Sequence, residues 1–207
     1  MSVLIAIEGI DGSGGSTHSK LLAEWLNKKF PENSNKILHS REPSDLPIGN
    51  LMRDYLKKPQ VHPTVDALLY AADRAEHYYS IIKPAMDSGK IVISDRHKLS
   101  SLVYQTVQGL DSKWVRRINS AVPDPDLNII LDVDPKVSLE RKLKANNSSM
   151  DKFETLTILN KARAKYLELA SRYSNIITVS SLDTVEETQE EIRRVVEVFL
   201  KKKDILK

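Results

Sequence analysis

The sequence predicts an α/β fold in which five parallel strands form one sheet and helices cover both of its faces. The first observation is a set of short apolar runs rich in Val, Ile and Leu, which are typical of strands buried on both faces. These runs are residues 3–7, 36–39, 91–93, 128–132 and 175–179. The second observation is that longer amphipathic stretches separate the runs, most clearly residues 64–87, 154–173 and 184–202. Strands that alternate with helices favour a parallel sheet.

Prolines and glycines fall at the boundaries that this fold requires. Gly89 follows the 64–87 stretch, and Pro135 stands where a helix begins, at a position where its missing N–H costs little. Residues 144–149 are polar and poor in helix formers, so we expect a loop there. Because the sequence contains no internal repeat and no linker-like segment, we expect one domain over residues 1–207.

The first strand leads into a glycine-rich segment, residues 8–17, and a helical pattern follows it. Four of the seven glycines of the chain fall between positions 9 and 15. Bare backbone N–H groups between a strand and a helix are suited to binding phosphate. The spacing fits the motif G-x-x-x-x-G-K-[ST] at Gly9, Gly14 and Ser16, but Gly15 stands at the lysine position. The predicted fold is therefore a P-loop NTPase-like three-layer sandwich whose loop lacks its usual cation.

Composition excludes several classes of function. A net charge of +3 on 207 residues is too small to indicate a nucleic-acid partner. The absence of cysteine excludes disulfides, thiolate metal sites and cysteine nucleophiles, and it is compatible with the cytoplasmic location that we expect. No apolar run approaches the roughly 20 residues that span a bilayer, so we expect no membrane partner.

Polar residues follow the predicted strands at the sheet edge where ligands of α/β proteins bind. Ser16 is suited to offer its hydroxyl to Mg²⁺, although a plain helix N-terminal serine is the alternative. Asp95 ends an apolar strand as a metal-organising carboxylate does, and a salt bridge to Arg96 is the alternative. The forked guanidinium groups of Arg41 and Arg96 suit phosphate, unless each forms a surface ion pair.

Tyr70 and Arg74 share one face of the long predicted helix, so an aromatic ring and a guanidinium are able to face one pocket. From spacing alone, however, a packed core tyrosine beside a solvated arginine is the preferred interpretation. The five histidines lack the spacing of metal ligands, and only His97 lies next to the candidate site.

Several segments occur in a fixed order along the chain. They are Ile7 to Gly14, Arg41-Glu42-Pro43, Leu68 to His77, Asp95-Arg96-His97 with Ser100-Ser101 and Tyr104-Gln105, and Asp151 to Glu154. Together these segments resemble the motifs of the thymidylate kinases, the nucleoside monophosphate kinases that phosphorylate dTMP with ATP. The likeness covers nearly the whole chain. Each motif alone would be weak, but the ordered set is strong.

The resemblance implies that the glycine-rich loop holds the phosphates of ATP. The residues concerned are Gly9, Asp11, Gly12, Ser13, Gly14, Gly15, Ser16 and Thr17. It also implies Mg²⁺ as the cofactor, and relatives in the family are usually homodimers through helices that include the one at 64–87.

The resemblance further implies a dTMP site made of Asp11, Arg41, Tyr70, Arg74, Arg96, Ser100, Tyr104 and Gln105. In this assignment Asp11 accepts a hydrogen bond from the 3′-hydroxyl, and Arg41 and Arg96 hold the acceptor phosphate. Tyr70, where the family usually has phenylalanine, stacks on thymine.

Within the same site, the implied role of Arg74 is a hydrogen bond to a thymine carbonyl. Ser100, Tyr104 and Gln105 line the nucleoside pocket, and Tyr104 crowds C2′ against ribonucleotides.

Two departures from the family pattern bear on activity. Some members carry a basic residue inside the loop where this chain has Gly12, and the motif lysine is replaced by Gly15. We therefore expect the catalytic charge to come from a lid at about residues 143–154 or its surroundings. The candidate cations are Arg96, Arg141, Lys144 and Lys152. The alternative hypothesis is a nucleotide-binding paralogue with little or no catalytic activity, regulatory or structural in role.

Overall fold

The computed structural model describes residues 2–30, 36–58, 61–145, 155–181 and 184–206. Its five strands are all parallel and lie in the order β2-β3-β1-β4-β5. The strands are β1 (Val3–Gly9), β2 (Ile37–Arg41), β3 (Ile91–Asp95), β4 (Leu127–Asp132) and β5 (Ile176–Ser180). The predicted α/β fold class is therefore confirmed. Four strands, β1, β2, β3 and β5, run one or two residues further at their carboxyl ends than the apolar runs indicated, because the residues there still pair with their neighbours.

Helices connect successive strands across this part of the chain. They are α1 (Gly15–Lys29), α2 (Pro47–Leu56), α3 (Pro63–His77), α4 (Lys83–Asp87), α5 (Lys98–Val107), α6 (Ser112–Ile118), α7 (Pro135–Ala145), α8 (Leu156–Ala170) and α9 (Val185–Lys202). The sequence analysis did not single out α2 and α5. It also took residues 64–87 as one α-helix, whereas a π-helical turn (Tyr78–Ile82) joins α3 to α4. Pro84 follows that turn and has no N–H to give to a regular helix.

Two apolar layers enclose the sheet. On β1, Ile5 and Ile7 pack with α1 and α9 on one face, whereas Leu4 packs on the other face against Ile82. Helices α5 and α8 extend this second face around Ile130. Because β1 is the central strand, its carboxyl end and the loop that follows it are held between two neighbouring strands. No helix of the described residues has the length and apolarity that a membrane span requires.

The predicted loop at residues 144–149 lies mostly outside the described residues. Lys144 and Ala145 form the last residues of α7, so the helix runs two residues further than the sequence suggested. The predicted lid at 143–154, with Lys152, lies outside the described residues from position 146 onwards.

Ile5→Ala tests the central strand. Ile5 is fully buried in the largest apolar cluster, so we expect the substitution to lower the free energy of unfolding by about 2–5 kcal/mol. Ile177→Ala on the edge strand β5 is the matched control, and at 36% exposure it should lose about 1 kcal/mol or less. Urea unfolding of both variants measures the difference. Equal losses would contradict the burial described for β1.

Candidate active site

A cavity opens where β1 passes through the glycine-rich loop into α1, and we term it the phosphate-loop cavity. The first turn of α1 contains no acidic residue, so the partial positive charge of its N-terminus is available to an anion. All eight residues expected to hold phosphates line the cavity, namely Gly9, Asp11, Gly12, Ser13, Gly14, Gly15, Ser16 and Thr17. Asp95, Arg96 and Lys142 line it as well. The arrangement suits a polyphosphate, whose binding stays a prediction.

Gly15 is the first residue of α1, and its bare Cα lies against Asp95. A Cβ at this position would be 2.9 Å from Asp95 Oδ1, so any side chain here requires the carboxylate to move. The other oxygen of the same carboxylate, Oδ2, accepts a hydrogen bond of 2.5 Å from Ser16 Oγ. The serine and the carboxylate predicted to organise Mg²⁺ are therefore adjacent, and a salt bridge between Asp95 and Arg96 does not form.

Helix α7 packs directly on the loop at Gly12. Ser138 is fully buried, and its hydroxyl donates a hydrogen bond to the backbone oxygen of Asp11. Gly12 has a φ of 81°, and a Cβ there would overlap the backbone oxygen of Ser138. Glycine is thus required at position 12 for both conformation and space. A residue with a side chain at position 12 does not fit this packing.

Arg96 connects the glycine-rich loop to helix α5. Its guanidinium donates to the backbone oxygen of Gly9 (3.0 Å), to Ser100 Oγ (3.0 Å) and to Asp11 Oδ1 (2.8 Å). The residue has a φ of 68°, a left-handed conformation that costs a non-glycine residue about 1–2 kcal/mol. Asp11 in turn accepts from the hydroxyl of Tyr104 at 3.2 Å. These contacts hold a cation and a carboxylate at a fixed position beside the loop.

A second cavity lies between α3 and α5, and we term it the α3–α5 cavity. Its lining consists of Asp11, Glu42, Pro43, Leu56, Tyr70, Arg74, Arg96, Ser100, Ser101, Tyr104 and Gln105. Seven of the eight residues predicted for dTMP are in this set. Gln105 is 1% exposed, and its Oε1 accepts no hydrogen bond from the described residues. A buried acceptor without a partner is costly unless a ligand supplies the missing donor.

Arg74 is buried rather than solvated, so the interpretation preferred from spacing alone is wrong. Its guanidinium forms an ion pair of 2.7 Å with Glu42, and both side chains are 2% exposed. It also donates to Ser101, Asn119 and the backbone oxygen of His97. Nε and Nη2 lie 2.8 and 2.7 Å from Glu42 Oε2, so all three nitrogens of the guanidinium have protein partners. Arg74 therefore lines the cavity from a fixed position.

Burial and neighbouring charges change the pKa values of Glu42 and His97, which lie next to Arg74. For Glu42, burial alone would raise the pKa, but Arg74 and the neighbouring histidines outweigh it and lower the pKa to about 2. Burial lowers the pKa of His97 to about 4, so its ring is neutral at pH 7. At neutral pH the Arg74–Glu42 pair therefore consists of one guanidinium and one carboxylate whose charges compensate, beside a neutral His97.

Glu8 is a functional candidate that the sequence analysis missed. It is 1% exposed on β1 and accepts hydrogen bonds from the backbone N–H of His97 (2.8 Å), from Ser100 Oγ (2.6 Å) and from the hydroxyl of Tyr166 (3.2 Å). Burial raises its pKa to about 7, against the lowering effect of Ser100 and Arg96. Its acidic character next to the loop was visible in the sequence. Its partners, 89 to 158 residues away, were not.

Among the described residues, three of the predicted site residues do not line either cavity. Arg41 ends β2, but its guanidinium donates to Asp45 at 2.7 Å and is 57% exposed, which is the surface ion pair considered as the alternative. Arg141 donates to Ser181 Oγ at 3.2 Å, and Lys144 is exposed near the end of α7. Lys142, which the sequence analysis did not consider, lines the phosphate-loop cavity instead. No local pattern in the sequence indicated this, because the packing of α7 on the loop depends on a contact between Ser138 and Asp11.

The protein combines a P-loop fold with two polar cavities, and Arg96 lines both of them. This is the architecture of a nucleoside monophosphate kinase. Comparison with known proteins agrees with this class. The family model "Thymidylate kinase" matches residues 7–192. The chain belongs to the thymidylate kinase family.

Relatives match over most of their length. A protein named "Probable thymidylate kinase" from Pyrococcus abyssi is 42% identical over 195 residues, covering 91% of this chain and 92% of the relative. Another of the same name from Pyrobaculum aerophilum is 47% identical over 168 residues, covering 81% and 82%. The crystal structure of thymidylate kinase from Ehrlichia chaffeensis superimposes with a TM-score of 0.77 at 28% identity and covers 94% of this chain and 98% of that one.

Glu8→Gln tests the raised pKa of Glu8. The ordinary pKa of a glutamate is 4.5, and the pKa of Glu8 in the folded protein is about 7. The folded state therefore binds the proton of the Glu8 carboxyl more tightly than the unfolded chain does. The contribution of Glu8 to stability is therefore full below pH 4.5 and is lost as the pH rises to about 7. Glutamine does not titrate, so Glu8→Gln does not lose this contribution as the pH rises. Between pH 4.5 and about pH 7, the free energy of unfolding of the variant should therefore rise relative to that of the wild type by about 3 kcal/mol.

Urea unfolding measures the difference in free energy of unfolding between the wild type and Glu8→Gln. The measurement is made at four pH values, about one unit apart, from about pH 4.5 to about pH 7.5. Glu24→Gln, at an exposed position on α1, controls for the loss of one acidic group. A constant difference between wild type and Glu8→Gln at all pH values would contradict the raised pKa.

Proposed function

We propose that this protein transfers the γ-phosphoryl group of ATP to dTMP, giving ADP and dTDP for dTTP synthesis. The observation that carries the proposal is that Arg96 and Asp11 line both cavities. A triphosphate on the loop and a monophosphate in the α3–α5 cavity would therefore meet at one fixed guanidinium. Family membership supports ATP and dTMP as the general substrate pair.

The proposed transfer needs positioning and charge more than covalent chemistry. An oxygen of the dTMP phosphate forms a bond to the γ-phosphorus, and the bond from that phosphorus to the β,γ-bridging oxygen breaks. The electron pair of the broken bond stays on ADP. Arg96 lies between the two cavities and stabilises the negative charge on the equatorial oxygens during the transfer. Its contacts with Gly9 and Asp11 fix the guanidinium in advance.

The polar groups of the α3–α5 cavity fit a thymine base. Gln105 Oε1 is a buried acceptor that receives no hydrogen bond from the part of the chain that the structure describes, and N3–H of thymine is a matching donor. Arg74 lines the same cavity, and one of its N–H groups would be shared between a protein oxygen and a thymine carbonyl. Tyr70 lines the same cavity and would stack on the base.

Two residues suit the deoxyribose. Asp11 has a carboxylate that accepts from the Tyr104 hydroxyl and is available to a 3′-hydroxyl in the same way. The ring of Tyr104 is 7% exposed, fixed at the cavity wall, and would crowd a 2′-hydroxyl. Arg41 would have to leave Asp45 to hold the acceptor phosphate, and at 57% exposure little opposes that movement.

Ser16 and Asp95 fit a Mg²⁺ ion that accompanies ATP. Their oxygens are 2.5 Å apart at the phosphate-loop cavity and are hard donors of the type that Mg²⁺ prefers. Across the part of the chain that the structure describes, no group of three or more acidic or histidine side chains forms a dedicated metal site. This fits a cation bound mainly through nucleotide phosphates, whose charge it would neutralise.

The alternative of a nucleotide-binding paralogue without turnover has no support in the family comparisons. The polar lining of the α3–α5 cavity also argues for a bound monophosphate. A homodimer and a cytoplasmic location stay predictions from the sequence.

A coupled assay of ADP release with ATP, Mg²⁺ and dTMP tests the proposed function. We expect turnover that dTMP saturates, and a lower kcat/KM for dUMP, dCMP, dGMP and UMP. Gly15→Lys, which restores the motif lysine, is measured in parallel. Tight dTMP binding without turnover, or turnover only in Gly15→Lys, would support the non-catalytic alternative. A preference for UMP would contradict the role proposed for Tyr104.

Gln105→Leu tests recognition of the base. Loss of the buried acceptor should lower kcat/KM for dTMP by about tenfold, the value of one hydrogen bond, and leave the KM for ATP unchanged. Thr106→Val is the matched control, since its hydroxyl lies on the same helix and also has no hydrogen-bond partner among the described residues, but Thr106 does not line the cavity. If both variants retain the wild-type kcat/KM, Gln105 does not contact the base.

A further inference from the structure

The phosphate-loop cavity contains a cation that the motif does not specify. Among the residues that the structure describes, the basic side chains lining the cavity are Arg96 and Lys142. The motif lysine would extend from position 15, where Asp95 now lies 2.9 Å from the position of a Cβ. The loop itself therefore supplies backbone N–H groups but no positive side chain to a triphosphate.

Arg96 does not replace the missing charge on its own. Its guanidinium forms an ion pair of 2.8 Å with Asp11, which cancels much of its field at the loop. It also donates to Gly9 and Ser100, so its position is fixed at the junction of the two cavities. A second cation is needed to bind the β- and γ-phosphates as a loop lysine does.

The position of Lys142 follows from the packing of α7 on the loop. Ser138 is fully buried in this helix and contacts the loop through Asp11 and Gly12. Residues four positions apart lie on the same face of a helix, one turn from each other. Lys142 therefore extends from α7 on the face that Ser138 fixes against the loop, and its side chain reaches the cavity. A long, flexible ammonium side chain suits a phosphate at this distance from the helix.

The other basic residues near this end of α7 have different surroundings. Arg141 donates to Ser181, which in turn donates to the backbone oxygen of Ser13 behind the cavity lining. Lys144 is exposed and lines neither cavity.

We propose that Lys142 replaces the missing loop lysine and binds the β- and γ-phosphates of ATP from helix α7. The inference deepens the proposed function and rests on it for the identity of the nucleotide. In this role the side chain neither gives nor accepts a proton, and it forms no covalent bond. Its contribution is charge and hydrogen bonds to the phosphate oxygens.

Calorimetric binding of ATP, ADP and AMP with Mg²⁺, in the absence of dTMP, tests this inference separately from kinase activity. Lys142→Met keeps the length and the apolar stem of the side chain but removes the charge. We expect ATP affinity to fall about ten- to a hundredfold and AMP affinity to change by less than about twofold, because AMP lacks the β- and γ-phosphates. Lys142→Arg, which keeps the charge, should retain most of the ATP affinity.

Lys136→Met is the matched control, since Lys136 is exposed in the first turn of α7 and lines neither cavity. The same variants are assayed for kcat. A large fall in kcat with unchanged ATP affinity also supports the inference, because the charge then acts in the transition state. The inference is overturned if Lys142→Met keeps both values within about twofold of wild type, or if Lys136→Met loses as much.

The two proposals fail in different ways. If the wild type binds ATP but does not phosphorylate dTMP, the proposed function fails, whereas a loss of ATP affinity in Lys142→Met still supports the role of Lys142. If the wild type is an active dTMP kinase and Lys142→Met is indistinguishable from it, only the role of Lys142 is wrong.

Discussion

The contacts of Arg96 are the constraint on which the two cavities depend. Its backbone is held in a left-handed conformation at the end of β3, and its guanidinium binds Gly9 and Asp11 of the loop. Ser100 binds both this guanidinium and Glu8, so β1, β3 and α5 meet in one hydrogen-bonded network. The network costs backbone strain but fixes a cation in advance, and preorganised charge is what phosphoryl transfer requires.

Buried charge beneath the α3–α5 cavity connects stability to recognition. Arg74 and Glu42 are both almost fully buried, and removing either one would leave an uncompensated charge. The same contacts fix Arg74 at the cavity wall, where it is expected to meet a base. Neutral His97 beside the pair leaves the charge balanced near pH 7. The rigidity of this wall therefore comes from interactions that also make the fold sensitive to substitution.

Local patterns in the sequence were sufficient for the sheet and for the loop. Each strand, and the loop, is one continuous segment of the sequence. Apolar runs and glycine spacing therefore predicted them. The buried state of Arg74 was not predictable from spacing, because its partners lie 23 to 45 residues away. Lys142 was missed for a similar reason. Its relation to the loop depends on a contact between Ser138 and Asp11, which are 127 residues apart.

The central claim is that this P-loop kinase supplies from α7 the charge that its loop lacks. The most direct test is a crystal structure with ADP, Mg²⁺, aluminium fluoride and dTMP, in which the fluoride group mimics the transferring phosphoryl group. The account predicts Lys142 Nζ about 3 Å from an oxygen of the β-phosphate or a fluoride of the mimic, with Arg96 between the mimic and dTMP. A Lys142 side chain directed into solvent, with another cation at the β-phosphate, would contradict it.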